Sequence, residues 1–246
     1  MAKVLVPLPD HDFDPTESAV PWHALVEAGH EVVFATERGD AAACDPLLLT
    51  GVVFGQLGAK DGPKQLYGEM AASTAFKAPI TWSAIDESAF DALVLPGGHA
   101  PKMKQYLASE TLQSKVAAFA RTGKPMAAIC HGVLVLARAT DPATGKSVLA
   151  ERRTTCLPKY MERTAYFLTA WKLGRYYRTY DAYVEDEVVA ALGAPTQFER
   201  GPFTLTRHGT ASDDTGAFVV EDGTYVSARW PGDAHLFAKK IVDRLS

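Results

Sequence analysis

Four short, uninterrupted apolar runs constrain this chain more than any other feature: Lys3-Val-Leu-Val6, Glu31-Val-Val-Phe-Ala35, Asp91-Ala-Leu-Val-Leu95 and Met126-Ala-Ala-Ile129. None alternates apolar with polar residues, so each predicts a strand buried on both faces. Helix signals lie between them. Asp14-Pro-Thr-Glu17 places Asp as N-cap, Pro at the first helical position and Glu at the third, and the helix it opens stops near Ala28 at Gly29. Further helices are expected over about 109–121, closed by Gly123 and Lys124-Pro125, and over 131–139. This alternation predicts a doubly wound α/β domain, a parallel sheet with helices on both faces. Such sheets place their sites at the C-terminal ends of strands. Pro7 to Glu17, Gly97-Gly98-His99 and Cys130-His131 all fall at such ends, so one topological rule gathers three distant segments at one crevice.

The remainder is less regular. Residues 41–76, rich in Gly and Pro, read as loop or irregular helix, and 181–192 as helix. Ala217–Val220 and Thr224–Ser227 read as a hairpin turning through Asp222-Gly223, with an amphipathic helix over 234–245 closing the chain. Tyr160 to Tyr183 carries eight aromatic residues. It reads as a core or subunit-interface helix, with a lid over the site as the alternative. No linker, internal repeat or low-complexity stretch interrupts the chain. Residues 1–246 therefore read as a single domain with an aromatic-rich helical insert at about 160–183.

Charge and cysteine usage narrow the function classes. Lys and Arg total 25 against 29 Asp and Glu, a net charge of −4, and the basic residues form no run, which argues against nucleic acid or an anionic membrane as partner. The longest mostly apolar run, Met126 to Ala137, is too short to span a bilayer, and Met1 to Pro7 reads as a strand start, not a signal peptide. The chain has no Asn and hence no N-glycosylation sequon. Cys44, Cys130 and Cys156 are too few and too widely spaced for a disulfide framework or a zinc site, and a cytoplasmic setting is expected. A small-molecule substrate is the expected partner, with no metal or other cofactor.

Cys130 is the centre of the functional reading. A cysteine on a sharp strand-to-helix turn gains thiolate stabilisation from the helix N-terminus, and the next amide, that of His131, can face a developing oxyanion. Gly132 fits a turn where a side chain would crowd the strand. Gly97-Gly98 lets a neighbouring strand end approach and could supply a second oxyanion donor. Without Asn, a Cys-His-Asn arrangement is excluded. Glu17 admits two readings: third residue of a capping box, or a carboxyl facing the thiol. Cys44 reads as a buried small hydrophobe. His11 and Asp12 near Asp14 read as solvated loop, not a metal site. Thr140-Asp-Pro-Ala-Thr-Gly-Lys-Ser147 lacks the first glycine of a phosphate-binding loop and follows a helix.

Five segments together, Phe13-Asp-Pro-Thr-Glu-Ser-Ala-Val-Pro21, Ala28-Gly-His-Glu-Val-Val-Phe-Ala-Thr36, Leu95-Pro-Gly-Gly-His99, Ala128-Ile-Cys-His-Gly132 and Val184-Glu-Asp-Glu-Val188, resemble the ThiJ/PfpI superfamily of class I glutamine amidotransferase-like fold. The resemblance implies a flavodoxin-like three-layer sandwich, usually a homodimer. It implies Cys130 as nucleophile, Glu17 hydrogen-bonded to its sulfur, and Gly98 with the turn amides as oxyanion hole. The adjacent His131 is similar to the heat-shock-type branch, which includes cofactor-free glyoxalases converting methylglyoxal to lactate. Two departures stand out. Cys156 lies near a position where some relatives carry histidine, so His131 reads as the only local histidine. Where that branch supplies an acidic third member, the nearest residue is Lys159, with Glu162 a substitute, which speaks against peptidase activity. The leading expectation is a glyoxalase III-like enzyme using Cys130, Glu17 and His131 without a cofactor. A small-amide or nitrile hydrolase on the same thiol, and a non-catalytic redox sensor or stress chaperone, are the alternatives.

Overall fold

The computed structural model describes all 246 residues, Met1 to Ser246. Its strands are β1 (Lys3–Pro7), β2 (His11–Phe13), β3 (Glu31–Thr36), β4 (Ala43–Cys44), β5 (Ile80–Thr81), β6 (Ala92–Leu95), β7 (Met126–Ile129), β8 (Val219–Asp222) and β9 (Tyr225–Ala228). The helices are α1 (Pro15–Glu27), α2 (Pro46–Thr50), α3 (Asp61–Ala72), α4 (Thr74–Lys77), α5 (Met103–Leu107), α6 (Glu110–Ala120), α7 (Val133–Arg138), α8 (Lys159–Leu173), α9 (Val184–Ala191) and α10 (Ala234–Leu245).

Seven strands form one sheet in the order β5-β3-β1-β6-β7-β9-β8, and β2 pairs with β4 apart from it. Every pairing in the large sheet is parallel except β8 with β9. The four apolar runs are thus β1, β3, β6 and β7, side by side at the sheet centre. Helices α1, α3 and α10 pack together as one layer, and α6, α7 and α9 as another. The expected doubly wound, flavodoxin-like architecture is what the chain adopts. The hairpin is present too, but it turns at Gly223-Thr224, where Gly223 has φ +60°, so its strands sit one to two residues later than expected. No helix is long and apolar enough to cross a membrane.

Residues 41–76 differ from expectation. They contain α3, a three-turn helix lying on α1. Its start, Asp61-Gly62-Pro63, has no side-chain cap, and Gly68 sits in its interior. Poor local propensity hides a helix that tertiary packing holds. The segment with His11 and Asp12 is also not a solvated loop. Pairing with β4 buries Asp12, whose Oδ2 accepts from Lys102 N at 2.9 Å.

Two devices hold the irregular C-terminal third on the sheet. Arg229 is fully buried, yet its guanidinium bonds both Asp233 oxygens at 2.8 Å and the carbonyl of Pro202 at 2.7 Å. A buried charge so completely paired pins the loop before β8 to the end of β9. A small apolar cluster of Val52, Ala100 and Tyr177, flanked by Leu173 and Tyr176, joins the α2 region to the segment after α8 and sits beside His99.

Candidate active site

β7 ends at Ile129, and Cys130 then adopts φ +58° before a single 3-10 turn, Cys130–Gly132, leads into α7. A left-handed conformation costs an L-residue about 1–2 kcal/mol, so the surrounding structure must enforce it. The enforcement is steric. A Cβ on Gly132 would stand 2.2 Å from Leu95 O, and one on Gly97 would stand 2.8 Å from both His131 N and Ile129 O. The ends of β6 and β7 therefore close on each other only because both positions are glycine. Cys130 is left 4% exposed, with Sγ 3.4 Å from Nδ1 of the buried His131.

The two readings of Glu17 separate clearly in space. Asp14 does cap α1, its Oδ1 accepting from Thr16 N at 2.7 Å and Glu17 N at 3.1 Å. The return arm of a capping box is missing, because Asp14 N donates instead to Gly97 O at 2.9 Å. The Glu17 carboxyl turns from the helix to the β6 end, where Oε2 accepts from Gly97 N at 3.0 Å. It is fully buried, and Oε1 has no partner. Glu17 thus stands beside the elbow within hydrogen-bonding reach of the Cys130 thiol, which also has His131 Nδ1 at 3.4 Å.

Electrostatics set the resting protonation. Burial above all, then the Asp14 charge, pushes the Glu17 carboxyl well above its usual range. Asp14 itself is raised to about 6 by burial. Burial also raises the Cys130 thiol, with Glu17 and Asp14 adding to it, and the hydrogen bond from the His131 amide offsets this only in part. The expected thiolate at a helix N-terminus is therefore not the resting form. One amide and the six-residue α7 cannot outweigh desolvation beside carboxyl groups. The site rests as thiol and carboxylic acid, with His131 neutral because burial drives its pKa down.

His131 is not the only local histidine: behind it stands His99, which the sequence placed at a strand end without a role, and beside that Glu162. The rings of His99 and His131 lie 4.7 Å apart, and His99 Nε2 is 4.0 Å from Glu162 Oε1. His99 Nε2 is buried without a partner, and burial with the nearby Arg178 lowers its pKa to about 3. Glu162, 1% exposed, is held by Arg178 Nη1 at 2.9 Å and by Val184 N at 3.0 Å. Glu162 has a carboxylate oxygen within 4.8 Å of a ring nitrogen of His131 but makes no hydrogen bond to it, whereas Lys159 turns away to pair with Asp186 at 2.6 Å. One donor atom each from His99, His131 and Glu162 lie mutually within 4.8 Å, a set that could hold a divalent cation. The Arg178 guanidinium on Glu162 opposes that use and suits a polar relay better. The signal for His99 was its place directly after Gly97-Gly98, at a strand end. Arg178 gave none.

The other cysteines lie apart from this chemistry. Cys44 is buried, its thiol pushed up to about 12 by burial, and Cys156 is buried in the core. Gly98 fits between Asp12 O and Met103 Sδ, where a Cβ would come within 2.7 and 2.9 Å, so its backbone reaches the crevice with no side chain.

Residues 8–202 match the ThiJ/PfpI family-like domain family. A deglycase of Pyrococcus horikoshii is 33% identical over 240 residues, covering 96% of this chain and 95% of the relative. An uncharacterised protein of Schizosaccharomyces pombe is 30% identical over 244 residues, covering 97% of this chain and 82% of that one. Among solved structures, glyoxalase III from Candida albicans superposes with a TM-score of 0.69 at 20% identity, covering 99% of this chain and 97% of that one. The last likeness speaks to the fold alone. Matched over most of its length, with deglycases among its relatives, this chain belongs to the ThiJ/PfpI-like family.

Proposed function

We propose that this protein is a cofactor-free thiol enzyme of the glyoxalase type, converting methylglyoxal and similar small 2-oxoaldehydes to 2-hydroxy acids. The observation that carries this reading is a strained, buried Cys130 flanked by a proton-bearing Glu17 and a neutral His131. Chemistry that moves protons between adjacent carbons needs an acid and a base together. The names deglycase and glyoxalase III among relatives and structural neighbours agree with it.

The steps follow from the groups present. Cys130 Sγ adds to the aldehyde carbon while its proton passes to His131, 3.4 Å away, and on to the carbonyl oxygen, giving a hemithioacetal. The amides of Gly98 and His131 face that oxygen while it carries charge. Glu17, as carboxylate after giving its proton to the adjacent ketone oxygen, takes the hydrogen of the former aldehyde carbon. The enediol formed takes the proton back from Glu17 at the neighbouring carbon and gives the hydroxyl proton of the sulfur-bearing carbon to His131, which returns it to Glu17 for the next turnover, leaving a thioester to Cys130. Water attacks the thioester, releasing the 2-hydroxy acid and restoring the thiol. The sum is one 2-oxoaldehyde plus one water to one 2-hydroxy acid, with no net redox change. His99 and Glu162 keep His131 oriented through the cycle.

Purified protein given methylglyoxal should form lactate, and Cys130→Ser should lower kcat/KM by about 10³-fold or more. Lactate formation unaffected by Cys130→Ser, or none at all from the wild type, would refute the proposal.

A further inference from the structure

Cys130, His131 and Glu17 are each almost wholly buried, so something must stand between the thiol and solvent. The segment from Arg175 to Tyr183, between α8 and α9, packs on His99, whose ring lies 4.7 Å from that of His131, as a strap fastened at several points. Tyr177 Oη donates to Asp45 Oδ2 at 2.7 Å and Tyr176 Oη to Asp45 Oδ1 at 3.1 Å. Arg178 grips Glu162, and Thr179 Oγ1 donates to His99 O at 2.8 Å. The Tyr177 ring lies 5.5 Å from that of His99, next to the only unpartnered imidazole nitrogen behind the nucleophile.

Asp45 is the receiving half of this clasp. It is 1% exposed, caps α2 through Leu47 N at 2.9 Å, and its own amide donates to Phe13 O at 3.0 Å, one residue before Asp14. The strap is thereby tied to the segment that carries Glu17. Two phenols on one buried carboxylate, over an apolar seat of Val52 and Ala100, make a closed cover and not a fringe of loop.

We propose that this strap is a size filter: clasped to Asp45 by Tyr176 and Tyr177, it admits free 2-oxoaldehydes to Cys130 and shuts out carbonyl adducts carried on peptides and proteins. The inference rests on the thiol chemistry proposed above and specifies its substrate class. A small aldehyde passes by a brief displacement of the Tyr177 ring. A carbonyl fixed to a polypeptide needs the clasp to stay open throughout the reaction.

The test compares kcat/KM for methylglyoxal and for a methylglyoxal adduct on a lysine-containing peptide, in the wild type and in Tyr177→Ala. The wild type should favour the free aldehyde by about 10²-fold, and the peptide-to-aldehyde ratio should rise about tenfold in the variant. Comparable wild-type rates on both, or an unchanged ratio, would overturn the filter. A second measurement is independent of turnover. Labelling of Cys130 by a bulky fluorescein maleimide should speed up about tenfold more than labelling by iodoacetamide when the clasp is opened. Equal acceleration of both reagents overturns the filter. Selective acceleration in a wild type and variant that make no lactate upholds it while sinking the glyoxalase reading. Should Tyr177→Ala not fold, Tyr176→Phe/Tyr177→Phe removes both hydroxyls with the rings retained, and the same shifts are expected in smaller measure.

Discussion

The elbow and the strap guard the same sulfur but are specified in opposite ways. At the elbow, backbone does the work: Cys130 is forced to φ +58° because Gly132 and Gly97 let main chain touch main chain. At the strap, side chains do it: Tyr176 and Tyr177 reach an aspartate 131 and 132 residues away. A backbone-built feature leaves a short, dense signature, glycines and a cysteine at fixed offsets. A side-chain-built feature leaves residues that look ordinary until the fold brings them together. The first tolerates almost no substitution. The second can be loosened by degrees.

Glycine replacements break the comparison most sharply. Gly132→Ala puts a methyl 2.2 Å from Leu95 O, a backbone atom in the central sheet that cannot step aside. The variant is expected not to fold, or to lose more than about 4 kcal/mol by chemical denaturation. Gly174, where the strap leaves α8, has φ +58° and ψ −125°, a conformation that favours glycine, but nothing within 4 Å of a Cβ, so Gly174→Ala should cost only about 1–3 kcal/mol. Equal losses at the two positions would mean that the elbow is not held by contact between strand ends.

Glu17→Gln is the next largest effect, and it falls on rate instead of stability. Asp14 keeps its cap, and a glutamine oxygen can still accept from Gly97 N, but the proton carrier is lost. Turnover should fall about 10²–10⁴-fold with no loss of Tm. The pH dependence has a definite sign. Because the folded protein raises the Glu17 carboxyl above its ordinary value of 4.5, its contribution to stability is full below that value and fades as pH rises through the folded one. The glutamine variant never has to bury that charge, so it should gain on the wild type as pH rises above about 4.5 toward the folded value. A folded variant with wild-type turnover would return Glu17 to a purely structural part.

How much of this was legible follows the same division. β1, β3, β6 and β7, the Asp14 cap and the Cys130 turn were readable because each rests on neighbours in sequence. The aim of Glu17 was not, since it depends on Gly97 lying 80 residues away. Helix α3 escaped because its Gly and Pro argue against helix while α1 argues for it only in three dimensions. Glu162 could be singled out by position but not weighed, because its burial and its grip on Arg178 come from the far end of the insert. The insert itself divides: α8 and then a strap, so the helix expectation holds only for its first part.

The smallest effect sharpens the comparison from the strap's own side. Val53 and Gln56 exchange both backbone hydrogen bonds around Phe54 (φ +48°) and Gly55 (φ +75°), a two-residue turn with both central residues left-handed. Asn-Gly is the pair such a turn favours, and a phenylalanine there pays backbone strain. Phe54 is 81% exposed, and its contacts are Trp171, ring to ring at 6.0 Å, and the Lys172 ammonium at 5.6 Å. In open solvent those contacts return only about 0.5 kcal/mol, less than the roughly 1 kcal/mol that asparagine would recover. Phe54→Asn is therefore expected to raise stability by a few tenths of a kcal/mol in thermal denaturation, with turnover of methylglyoxal unchanged. A loss of stability would mean that the Phe54–Trp171 contact braces α8 against the loop before α3, and with it the base of the strap. A gain would leave the strap's fastening to its own contacts with Asp45, Glu162 and His99.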